Sequence, residues 1–72
     1  MTTWDYEKHE RVEMPAEMEA FLHEILSVYK KYGLSLGHED DHGAFEVWPY
    51  DEDNVFWLMH AHKAYTAAEV VK

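Results

Sequence analysis

The sequence contains no cysteine, and this absence excludes two ways of stabilising a small chain. Without thiols there is neither a disulfide framework nor a zinc site built on thiolates. Long apolar runs are also missing, since none approaches the roughly 20 residues that a membrane span needs. The N-terminus lacks a basic segment followed by an apolar one, which is the pattern of a secretion signal. We therefore expect a cytoplasmic protein without a membrane partner.

Positive charge is scarce. Six Lys and Arg stand against 15 Asp and Glu, which gives a formal net charge of -9. Between Tyr32 and His62 there is no Lys or Arg at all. Such a chain repels nucleic acid and anionic lipid, because both are bound through cations, and it attracts a basic protein surface. We expect no direct nucleic-acid binding, although an acidic surface that only keeps the protein soluble is the alternative.

Apolar and aromatic residues are plentiful by contrast. Hydrophobic residues make up 47% of the 72, with three Trp, five Tyr and three Phe, so simple disorder is excluded. The length allows one small domain, residues 1–72, and a chain this short is marginally stable alone. Large aromatic side chains or a partner must therefore supply stability.

The clearest element is a helix over residues 15–32. Pro15 suits its first position, and Gly33 suits a left-handed cap at its end. The apolar residues follow the 3, 4, 7 spacing of an amphipathic helix: Met18, Phe21, Leu22, Ile25, Val28, Tyr29 and Tyr32. Residues 1–14 alternate as an edge strand would, and an ordered arm is equally compatible with them.

Two alternating runs over residues 34–48 predict a β-hairpin. Gly43 can take the positive φ that its loop needs. We expect four apolar side chains of this hairpin to face the helix: Leu34, Leu36, Phe45 and Val47. Pro49 ends the second strand.

A second helix is predicted over residues 52–64, with Asp51 as its N-cap. Val55, Leu58, Met59 and His62 form its apolar stripe, so we expect His62 at the core or its boundary. Residues 65–72 form a tail or a short turn capped by Thr66. The predicted fold is a small α+β domain, helix–β-hairpin–helix (αββα), with a possible N-terminal edge strand.

Few residues suggest chemistry. His38, Asp40 and His42 at the hairpin tip could hold a divalent metal, but an acidic turn explains them better because Asp and Gly favour turns. His60 and His62 lie two apart, so on a helix they do not share a face and cannot chelate together. There is no cysteine nucleophile and no phosphate-binding glycine loop, and a chain of this size rarely encloses a cleft. We expect no enzymatic activity and no cofactor.

Two tryptophans are candidates for an interface. Trp48 alternates away from Phe45 and Val47, and Trp57 lies off the stripe of the second helix. If exposed, they resemble the aromatic anchors of protein interfaces within an acidic rim. The alternative is a minor core closed over them by Trp4 and Tyr6.

The segments GLSLGHED, HGAFEV and YDEDNVFWL, within residues 30–59, resemble a class of short acidic phage and prophage proteins of uncharacterised function. The resemblance implies a small phage accessory protein, and many acidic proteins of that kind inhibit host proteins, including defence nucleases. It assigns no residue a role.

The leading hypothesis is a non-enzymatic binding module that inhibits a basic host protein, with carboxylates in place of nucleic-acid phosphates. The candidate partner-binding residues are Glu39, Asp40, Asp41, Glu46, Trp48, Asp51, Glu52, Asp53 and Trp57. A homo-oligomeric assembly protein, with a homodimer as its simplest form, is the second hypothesis. A small metal-binding protein is the third.

Overall fold

A computed structural model describes residues 1–39 and 41–70. Two antiparallel hairpins and two α-helices make a mixed α+β fold, which confirms the predicted class. In chain order the elements are β1 (Thr2–Asp5), β2 (Glu10–Glu13), α1 (Ala16–Tyr32), β3 (Leu34–His38), β4 (Phe45–Pro49), α2 (Glu52–Met59) and a 3-10 turn (Ala67–Glu69).

The N-terminal segment forms a hairpin. Its first half is the expected strand, β1, which pairs with β2 from Thr2 opposite Glu13 to Asp5 opposite Glu10. The Asp5 carboxylate builds the turn between them, accepting hydrogen bonds from the backbone N–H groups of Glu7 (2.8 Å) and Lys8 (3.1 Å). His9 completes the turn with a φ of 54°. A single alternating strand through residue 12 is therefore wrong, because the chain reverses at residues 6–9.

Helix α1 follows its sequence signals closely. Pro15 occupies the N-cap, one residue before the first helical residue, and Gly33 ends the helix with φ 68°. The Gly33 N–H donates to the Tyr29 carbonyl at 2.8 Å. The positive φ explains the glycine, since a side chain there would strain the backbone.

The second hairpin also forms as predicted. Strands β3 and β4 pair from Leu34 opposite Pro49 to His38 opposite Phe45. Gly43 lies in the loop with φ 72°. The expected cover over this hairpin is absent among the described residues, since Leu34, Leu36, Phe45 and Val47 are 42–73% exposed. Both helices contact β3, and neither contacts β4 within residues 1–39 and 41–70.

Helix α2 ends at Met59, five residues before its predicted end. The next residues run extended beside β1: the Lys63 N–H donates to the Trp4 carbonyl (2.7 Å), and the Tyr6 N–H donates to the Lys63 carbonyl (3.0 Å). The Thr3 hydroxyl donates to the Ala61 carbonyl at 2.7 Å. The backbone groups of Lys63, which would otherwise extend α2, thus form hydrogen bonds along the free edge of β1. His62 is consequently exposed, not at the core, and its ring lies 5.7 Å from that of Tyr6.

The core is small and lies between the helices. Met14, Met18 and Leu22 are buried against Leu58, Met59, Ala61 and Tyr65. Thr66 caps the last turn as expected, through two 2.8 Å contacts with the Glu69 carboxylate. No helix in the described part of the chain is long and apolar enough to cross a membrane.

Candidate functional site

The first turn of α2 is fixed to the second hairpin by two partly buried hydrogen bonds. The Asn54 amide donates to the Ser35 hydroxyl at 3.0 Å, and this hydroxyl donates to the Pro49 carbonyl at 2.8 Å. Ser35 is buried, so water does not compete for these bonds. The contact sets the acidic start of α2 beside the end of β4.

Trp48 lies over β3 next to this contact. A Cβ atom on Gly37 would come within 2.6 Å of the Trp48 indole nitrogen, so only glycine lets the ring lie this close. The indole N–H donates to the Glu46 carboxylate at 3.3 Å. The ring is 48% exposed, and it therefore presents both an apolar surface and an attached negative charge.

Trp57 flanks β3 further toward the hairpin tip. It is 56% exposed and borders a groove of about 280 Å³ with Tyr29, Leu36 and Phe45. Gly37 lines the same groove, which makes this glycine the common neighbour of both tryptophans. In the described part of the chain β1 and β2 contact neither β4 nor α2. The alternative in which Trp4 and Tyr6 close over the tryptophans is therefore wrong.

The candidate carboxylates fall into two groups. Two of them serve the fold: Asp51 caps α2 by accepting from the Asp53 N–H at 2.8 Å, and Glu39 accepts from the N–H groups of Asp41 (2.7 Å) and His42 (2.9 Å). The predicted N-cap role of Asp51 is thereby confirmed. Four others are exposed, namely Asp41, Glu46, Glu52 and Asp53. Asp40 lies outside the described residues.

Tyr50 lies between the end of β4 and the N-cap of α2, and its phenol interacts with Glu52. Burial raises the pKa of its phenol, and the negative charge of Glu52 raises the pKa further. A hydrogen bond from the phenol to the Glu52 carboxylate contributes to the same rise in pKa, so this proton is held within the chain.

The histidines at the hairpin tip are used within the chain. The His38 ring packs edge-on against Phe45 with 5.9 Å between centroids, and the His42 ring nitrogen lies 3.2 Å from the Glu39 carboxylate. Among residues 1–39 and 41–70, no three His, Asp or Glu side chains are arranged to hold a metal ion. The trio of His38, Asp40 and His42 includes a residue outside these ranges, so it stays a prediction.

Ser35 and Asn54 are the residues that sequence reasoning missed. Ser35 lies between two leucines in an alternating strand, where the pattern assigned it to solvent. The serine and the asparagine are 19 residues apart in the chain. Their hydrogen bond could have been predicted only if the packing of α2 against β3 had been known.

Comparisons of the chain with protein-family models, with curated proteins and with solved structures found no match.

Proposed function

We propose that this chain is a protein-binding module that carries out no reaction of its own. Its acidic aromatic surface, defined by Glu46, Trp48, Glu52, Asp53 and Trp57, engages a basic surface of another protein. One observation carries the proposal: Trp48 is exposed with its indole bonded to Glu46, beside the acidic first turn of α2.

The chemistry of the surface supports this reading. Tryptophan is enriched among the few residues that supply most of the binding energy of a protein interface. Carboxylates around them accept charge-assisted hydrogen bonds from Arg and Lys. Because no Lys or Arg lies between Tyr32 and His62, nothing in that stretch offsets the attraction to a cationic partner.

A finer proposal follows from the resemblance to phage proteins. In that case the protein acts in the host cytoplasm as an inhibitor, and the partner is a nucleic-acid-binding or defence protein. The exposed carboxylates Glu46, Glu52 and Asp53 would take the places of phosphates, since both groups are recognised by Arg and Lys.

The test is a pull-down from bacterial lysate with the tagged chain, eluted in parallel with duplex DNA and with high salt. Phosphate mimicry predicts that the captured protein is released by both eluents, because DNA competes for the same cations and salt screens them. The informative variant is Glu46→Gln with Asp53→Asn, which removes two exposed charges from the surface and should capture at least about tenfold less partner.

Glu7→Gln with Glu10→Gln is the matched control, since it removes two exposed charges at the other hairpin and should capture as much as the unaltered chain. Equal capture by the two double variants would refute the proposed surface. A captured protein that salt releases but DNA does not would leave protein binding in place and refute the phosphate mimicry.

A further inference from the structure

Helix α1 carries an exposed apolar stripe that is separate from the acidic aromatic surface. We name it the α1 seam: Phe21, Ile25, Val28 and Tyr32. Phe21, Val28 and Tyr32 are 63%, 53% and 64% exposed, although their spacing predicts burial. The steps of four, three and four residues are those of a heptad, the repeat by which one helix packs along another. In the described part of the chain α2, β3 and the segment that follows α2 cover the other side of the helix, where Met18, Leu22 and Tyr29 are buried.

The seam continues onto the second hairpin. A groove of about 240 Å³ lies between α1 and β3, lined by Val28 and Tyr32 on one side and by Leu34, Leu36 and Val47 on the other. None of these side chains is charged. Seam and groove together form one continuous apolar face, of the kind that marks a protein interface.

The accessible surface is larger than a chain of this mass should have. A folded monomer of 8.6 kDa is expected to expose about 4,700 Å², whereas this chain exposes 5588 Å². The radius of gyration, 13.3 Å, likewise exceeds the value of about 11 Å expected for 72 residues. The excess area, about 900 Å², is close to the roughly 800 Å² that each partner contributes to a standard interface.

The charges beside the seam point to a second copy of the chain as the occupant. Glu24 and Lys31 follow each other at a spacing of seven along one edge of the seam. Neither forms an ion pair within the described residues. If two α1 helices pack antiparallel with Ile25 of each copy facing Val28 of the other, the seam covers itself. Glu24 of each copy then lies on the same edge as Lys31 of the other, about 3 Å away along the helix axis, which is within reach of these long side chains. Both pairs form at once, because a two-fold interface repeats every contact.

We propose that the chain forms a homodimer in which two α1 seams pack antiparallel in this register. Within α1, residues whose numbers sum to 53 then lie opposite each other. The register places Phe21 of one copy against Tyr32 of the other, at the mouth of the apolar groove. The acidic aromatic surface stays free in both copies, so the dimer presents it twice.

The first test is the molar mass of the protein by sedimentation velocity at physiological salt over a range of concentrations. We expect twice the chain mass of 8.6 kDa for the unaltered protein. Val28→Glu places two negative charges near the centre of the interface, one from each copy. This variant should have the mass of a single chain. Phe56→Glu, at an equally exposed phenylalanine of α2, is the matched control and should leave the dimer intact. Circular dichroism verifies that each variant is folded.

The second test fixes the register. Glu24→Lys and Lys31→Glu each turn two attractive pairs into two repulsive ones, and each should raise the dimer dissociation constant about tenfold. The double variant restores opposite charges and should return the constant to within about twofold of the unaltered protein.

If the unaltered protein has the mass of a single chain at every concentration, the dimer is refuted. The partner of the seam is then a different protein. An unchanged dimer in Val28→Glu would refute the seam as the interface. A double variant as weak as its parents would refute the antiparallel register.

Discussion

At the scale of single residues, the pair formed by Asp5 and Lys63 shows how a few side chains hold distant segments together. The Lys63 ammonium lies 3.6 Å from the Asp5 carboxylate, and both side chains are largely buried. The same ammonium donates to the Tyr65 carbonyl and lies 4.7 Å from the centre of the Tyr65 ring. The pair thus joins the turn of the first hairpin to the segment that follows α2. Because this segment also supplies Ala61 and Tyr65 to the core, losing either charge should loosen the core as well.

Asp5→Asn tests this pair through its pH dependence. The backbone N–H of Lys8 is the largest cause that lowers the pKa of Asp5 from its ordinary value of 3.8; burial opposes it, and Glu7 and Lys63 assist it. A lowered pKa means that the carboxylate stabilises the fold above pH 3.8 and that this contribution is lost as the pH falls through the folded-state pKa. We expect the variant to melt below the unaltered protein at pH 7, with the difference shrinking as the pH drops below 3.8.

The measurement is the thermal midpoint of both proteins between pH 7 and strongly acid pH. Glu7→Gln, at an exposed neighbour, is the control and should keep the midpoint of the unaltered protein. A difference between Asp5→Asn and the unaltered protein that stays constant down to the lowest pH would contradict the assigned role of this carboxylate.

At the scale of elements, the attachment of α2 to the second hairpin depends on one hydroxyl. Ser35→Ala removes the acceptor of the Asn54 amide and the donor to the Pro49 carbonyl. A buried group left without its partner costs about 1–3 kcal/mol, so we expect the free energy of unfolding in urea to fall by about that amount. Glu7→Gln, at an exposed residue in the turn of the first hairpin, should change it by less than about 0.5 kcal/mol. Equal values for the two variants would show that the buried contact does not hold α2 in place.

The same scale shows what the sequence could reveal. Helix α1 and the second hairpin were predictable because their signals are local: apolar spacing, Gly33 as a cap and Gly43 in a turn. The first hairpin was not, since its turn contains no glycine, proline or asparagine and depends on the Asp5 carboxylate and on His9 in a left-handed conformation. The early end of α2 depends on the free edge of β1, which is a contact between distant parts of the chain. No pattern along the sequence contains that information.

The candidate site, too, was only partly predictable from the sequence. The positions of Trp48 and Trp57 left two alternatives open, an exposed pair and a minor core under Trp4 and Tyr6, and the structure shows both tryptophans exposed. The α1 seam could not be foreseen, because an apolar stripe indicates burial without saying whether the cover comes from the same chain. Only the exposed side chains of Phe21, Val28 and Tyr32 show that this chain leaves the seam open.

At the scale of the whole molecule, the charge and the apolar face should respond to salt in opposite directions. Two copies of a chain with a net charge of -9 repel each other. At physiological ionic strength, salt screens the repulsion between charges that are more than about 8 Å apart. The side chains of the seam are uncharged and insensitive to screening, and the exposed Glu24–Lys31 pairs beside it contribute only about 0–1 kcal/mol each, so the net repulsion is the larger contribution that salt changes. Added salt therefore strengthens self-association while it weakens binding of a basic partner to the acidic aromatic surface, and the two surfaces can be told apart in one protein.

The proposed dimer also makes the stability of the fold depend on concentration. Since the folded chains associate and the unfolded ones do not, mass action favours folding as the protein becomes more concentrated. For a domain of this size we expect the thermal midpoint to rise on the order of 5 °C for about a hundredfold increase in concentration. Val28→Glu should melt at one temperature at all concentrations, and Phe56→Glu should keep the slope of the unaltered protein. Because both variants add one negative charge to an exposed apolar position, a shared slope would show that the apolar face does not stabilise the folded chain through a second copy.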